Sequence, residues 1–77
     1  MKTLEQIIAE FSNEELKKGF EEIVEWRKTG ILKVDGVVRE AHKQFTVGAN
    51  VMYPIHAMDT PFLFEISKRH YAEKEQN

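Results

Sequence analysis

Three histidines, His42, His56 and His70, are the residues of this chain whose chemistry is easiest to imagine. With Glu40 or Asp59 they would supply three nitrogens and a carboxylate, a donor set that suits zinc or a similar metal. Metal sites usually place two ligands a helical turn apart, and these histidines fall 14 residues apart on separate segments. The spacing therefore predicts no metal and no cofactor. His56 and Asp59 also suggest a base held by a carboxylate, which would need a nucleophile and an oxyanion donor set to become a hydrolase. The serines are Ser12 and Ser67. Ser12 fits a helix cap and Ser67 a solvent face, while Asp59, two residues before Pro61, reads as a helix start. No glycine-rich phosphate loop is present, and no catalytic residue is assigned. The expectation is a non-enzyme.

A basic run offers a second chemistry. Arg27, Lys28, Lys33, Arg39 and Lys43 face only Asp35 and Glu40 between Arg27 and Phe45. Two helices joined by a turn would present these cations to phosphates, which makes nucleic-acid binding the alternative function. A helix-turn-helix joins its helices by about three or four residues, and a longer connector separates these. Glu40, on the same helix as Arg39 and Lys43, would also repel phosphate. The net charge of −2 leaves no basic footprint on the whole chain, so nucleic acid is not the favoured partner.

Aromatic side chains give the third. Five Phe, one Trp, two Tyr and three Met are many large apolar groups for 77 residues. A chain this short has little interior, so they cover each other or a partner. Trp26, Phe62, Phe64 and Tyr71 are the candidate partner-binding residues, since aromatic anchors dominate interface energetics. Phe64 and Tyr71 are seven apart and share one helix face, while Phe62, Leu63 and Phe64 in succession cannot all face one side. The favoured reading is a protein-interaction or regulatory module that self-associates. Seven Glu against three Lys up to Trp26, followed by the basic run, also permit head-to-tail pairing between copies.

The elements that must carry these residues follow from periodicity and caps. Thr3 is a plausible N-cap for a helix with Leu4, Ile7, Ile8 and Phe11 on one face. Ser12-Asn13-Glu14-Glu15 fits a capping box, so a second helix begins at once, with Leu16, Phe20, Ile23 and Val24 as its stripe. Lys28-Thr29-Gly30 closes it. Asp35-Gly36 is a turn, followed by a third helix over 37–45; the rival is a β-hairpin at 31–40, which would make the fold α+β. Gly48-Ala49-Asn50 breaks the pattern, 51–58 is an irregular apolar segment held from helix by Pro54, and Pro61 at N1 opens a last helix that frays over 72–77. The expected fold is a mostly α single domain, 1–77, of three to four helices.

No apolar run approaches the roughly 18 residues that cross a bilayer, and Glu5 sits where an export signal needs apolar residues. With no cysteine there are no disulfides, and the cytoplasm is the expected compartment. The stretch from Trp26 to Phe45 resembles small accessory proteins of phages and mobile elements, without a diagnostic motif.

Overall fold

The helix starts are local events. In the computed structural model, which describes residues 2–75, α1 spans Leu4–Ala9 and α2 spans Asn13–Thr29. At the first start Gln6 N–H donates to the Thr3 hydroxyl at 3.2 Å, and Thr3 N–H donates to the Gln6 side-chain Oε1 at 2.8 Å. At the second, Glu15 N–H donates to the Ser12 hydroxyl at 3.1 Å and Ser12 N–H to the Glu15 carboxylate at 2.9 Å. Two capping boxes nine residues apart therefore allow two helices to follow each other with almost no linker. Gly30, at φ +79°, ends α2 in the left-handed conformation that only glycine adopts freely.

A third helix, α3, covers Val37–Ala49, four residues beyond the expected end at Phe45. Gly48 stays helical, and Asn50 at φ 53° makes the break instead. The Val51 N–H bond to the Thr46 carbonyl at 3.1 Å completes a Schellman-type end. Residues 55–57 form a single 3₁₀ turn that leads directly into α4, Asp59–Glu75. Pro61 is thus the third residue of α4, not its first; it lies in the opening turn, where its missing N–H costs nothing. The helix continues through Ala72 to Glu75, within the 72–77 expected to fray, and 76–77 lie outside the described residues. Among the described residues there is no strand, and the hairpin at 31–40 is replaced by a connector whose Leu32 is buried. The fold is a small, mostly α domain of four helices.

The first two helices each pack on both α3 and α4. The extents, 39 × 33 × 17 Å, give a slab about two helices thick. The long helices α2 and α4 run antiparallel: Arg27 near the end of α2 pairs with Asp59 at the start of α4, and Asn13 at the start of α2 meets Arg69 far along α4. One buried cluster fills the slab, with Ile8, Ile23, Val38, Met58 and Phe62 at its centre. Gly19 lets α4 approach: a Cβ there would lie 2.8 Å from the Phe62 ring.

Two polar side chains tie the layers together. Glu22 on α2 accepts from Val37 N–H at 3.0 Å and Val38 N–H at 3.1 Å, so it caps α3 across the connector. Gly36, the N-cap residue, has no side chain to do this, and a Cβ there would collide with the Glu22 carboxylate. Arg69 donates to the carbonyls of Ala9 at 3.0 Å and Phe11 at 2.8 Å, and to Asn13 Oδ1 at 2.7 Å. Its Nε–H meets the buried Glu65 carboxylate at 2.8 Å, and Lys68 reaches the other oxygen at 3.2 Å. Burial alone would raise the Glu65 pKa. The hydrogen bonds and charges of Arg69 and Lys68 outweigh it and hold the carboxyl below its ordinary 4.5.

Two outcomes follow for stability. Removing the cap with Glu22→Ala costs about 1–2 kcal/mol, measured by urea unfolding. Gly36→Ser in that background recovers most of the loss, because serine then supplies its own cap; no recovery would show that Glu22 acts elsewhere. For Glu65 the depressed pKa means its contribution is fully present above the unfolded value near 4.5 and is lost as pH falls through the lower folded value. Glu65→Gln should therefore flatten the acid limb of melting temperature against pH, and an unchanged limb would refute the assignment.

Candidate functional site

Several of the residues that suggested chemistry make contacts that hold the fold. His42 sits on α3 with Nε2 2.7 Å from the Tyr53 carbonyl, which only a protonated nitrogen can satisfy, so the ring donates and anchors the 51–54 segment. Phe45 packs edge-on against Tyr53 at 5.7 Å and closes the same corner. Asp59 accepts from Thr60 N–H at 2.8 Å with one oxygen and from Arg27 at 3.2 Å with the other. Ser12 is a cap. His56 and His70 are exposed, His70 edge-on to Tyr71 at 5.6 Å. Among the described residues no three His, Asp or Glu side chains converge closely enough to hold a metal.

The basic run is scattered. Arg27 is spent on Asp59, and Lys28 lies in the last turn of α2. Lys33, on the connector, shares a cleft with Glu21, Glu22 and Glu25 of α2. Arg39 and Lys43 are exposed one turn apart on α3, with Glu40 between them. Carboxylates therefore interrupt what the sequence shows as a run of cations, and no continuous stripe faces outward for a phosphate backbone.

The aromatic set divides. Phe62 is fully buried, 6.0 Å from Phe11 and pressed on Gly19, so its expected place in a binding surface is corrected: it is the centre of the core. Trp26 is half-buried and packs against that core from the end of α2, which removes it as an exposed anchor. Phe64 and Tyr71 remain 61% and 63% exposed on the outer side of α4. The reason is geometric. Phe64 lies two residues, about 200° of helix, from Phe62, and Tyr71 returns within about 20° of Phe64.

These two rings share a sector of α4 that, on the helical wheel, also takes in Lys74. Projected at about 100° per residue, His70, Leu63, Ser67, Thr60, Tyr71 and Phe64 fill a sector roughly 120° wide. Glu65, Lys68 and Arg69 fall outside it, and Asp59 is turned toward Arg27. The Lys68 ammonium is drawn back to Glu65 and lies 6.0 Å over the Phe64 ring. Beside the sector runs a groove of about 570 Å³ between α2 and α4, with Leu16, Phe20 and Ile66 as its apolar lining.

Sequence reading missed Phe20, placed in the α2 core stripe but 43% exposed at this groove. Its position one residue after Gly19, off the Leu16–Ile23 line, was the available signal. A second apolar site is Val47, Val51 and the fully exposed Met52 at the far end of α3, which periodicity alone did not separate from core.

Among the described residues no helix is long and apolar enough to cross a membrane. No protein-family model matches this chain, and no curated protein or solved structure matches it significantly.

Proposed function

We propose that this chain is a small, non-enzymatic protein-interaction module whose contact surface is the outer side of α4. The observation that carries the reading is the pair Phe64 and Tyr71, both more than half exposed on one face of α4. Isolated exposed apolar residues are ordinary on any surface. Two large aromatics aligned on one helix face, away from the core, are what a covered surface looks like when its cover is removed. The groups with chemical potential support the same reading, because Asp59, His42, Glu22 and Glu65 are each committed to holding helices. The cytoplasm, which suits a cysteine-free chain, is the compartment proposed with it.

The reading is tested in two steps. Phe64→Ala with Tyr71→Ala should leave far-UV circular dichroism unchanged and melting temperature within a few degrees, since these rings do not stabilise the fold. A photoreactive phenylalanine analogue at position 71, in cells that naturally make the protein, should give a discrete cross-linked adduct. Collapse of the double variant, or irradiation that yields no adduct, would sink the proposal.

A further inference from the structure

We infer that the Asp35–Gly36 peptide is a site of spontaneous chemical modification, where aspartate isomerises to isoaspartate and releases the cap of α3. The chemistry is intramolecular. The Gly36 amide nitrogen gives up its proton and attacks the side-chain carbonyl carbon of protonated Asp35. A C–N bond forms, and a carboxyl oxygen leaves as water. The cyclic imide that results takes up water at either of its carbonyls. Opening at the side-chain carbonyl restores aspartate. Opening at the main-chain carbonyl leaves the backbone running through the side chain, with the former main-chain carboxyl free. The water lost in the first step is regained in the second, and no oxidant, metal or other protein is consumed. Glycine favours the attack, because it brings no side chain against the approaching carboxyl.

The fold separates the two aspartates of the chain, Asp35 and Asp59. Lys33, Val34 and Asp35 are exposed, between the buried Leu32 and the buried Gly36. Among the described residues Asp35 joins no ion pair. Asp59 opens α4 with both oxygens engaged, one on Thr60 N–H at 2.8 Å and the other on Arg27 at 3.2 Å. The residue after it is a β-branched threonine, which crowds its own amide. Position 35 is therefore the reactive one. It is also coupled to the structure through its neighbour. Gly36 lies so close to Glu22 that a Cβ there would collide with the carboxylate, and that carboxylate holds Val37 N–H and Val38 N–H. Isoaspartate inserts one carbon into the main chain directly before Gly36, where the room beside Glu22 is less than one carbon. Gly36 must shift, and the two N–H groups lose the only cap that a helix starting at glycine has.

The full chain, held for days in warm, mildly acidic buffer, is treated with an isoaspartyl methyltransferase and labelled S-adenosylmethionine, and the label is located by peptide mapping. Label is expected at position 35, at least tenfold above position 59. It should vanish in Asp35→Glu, whose longer side chain closes the imide ring poorly. The isomerised chain, separated by chromatography, should melt near the temperature of the Glu22→Ala variant. Label spread equally over positions 35 and 59 would overturn the inference. So would its absence at 35 under conditions that label an unfolded peptide of residues 31–40, because the fold would then protect the link. An isomerised chain that melts with the unmodified protein would refute the coupling to α3.

Discussion

The spacing between α2 and α4 is set by one contact, the Phe62 ring seated against the bare backbone of Gly19. Every other long-range feature is arranged around it. Phe62 is fully buried and touches Phe11 at the α1–α2 junction, so the same ring also positions the short first helix. A fully buried phenylalanine contributes about 1.5–3 kcal/mol, a large share of what a chain of this size can muster. A glycine inside a helix costs roughly 1 kcal/mol relative to alanine. The helix tolerates that cost because a larger residue would drive the two longest elements apart and open the core.

Around this contact the polar groups act as fasteners at helix ends. α1 has only six residues, too few to persist alone. Its last carbonyl and that of Phe11 are taken by Arg69, brought from the far end of the chain. α3 starts at a glycine and borrows its cap from Glu22. Both fasteners join segments distant in sequence, so helix formation and tertiary packing are one event in this protein. The buried Glu65 is tolerated for the same reason, since its charge is neutralised by the arginine that does the fastening.

This division explains what could be read from the chain and what could not. Thr3, Ser12, Gly30 and the Asp35-Gly36 turn act on their immediate neighbours, and local chemistry is legible in local sequence. A mostly α fold of three to four helices and most of their starts were therefore accessible, while 31–40 stayed open between a connector and a hairpin. The end of α3 was misread because Gly48 looks like a stop, while Asn50 needed the Thr46 carbonyl to become one. Glu22 and Arg69 were invisible as fasteners, because nothing in a list of glutamates and arginines marks the one that reaches another helix end. The aromatic set divides between core and surface. Phe62 and Phe64 differ by two positions and no chemistry, and only the direction of the core decides which is inside.

The last helix carries the conflict that gives the protein its candidate surface. A helix on the edge of a small slab needs one apolar stripe, and α4 has one in Phe62 and Ile66, continued by Met58 just before its start. It has a second, formed by Phe64 and Tyr71, that contributes nothing to that core. Polar residues at those two positions would satisfy the monomer equally well and would keep it more soluble. Their cost to a lone chain is the physical basis of the interaction surface proposed for this helix. The core is complete without the outer stripe, because Phe62 fills the inner face of α4 while Phe64 and Tyr71 stay outside it.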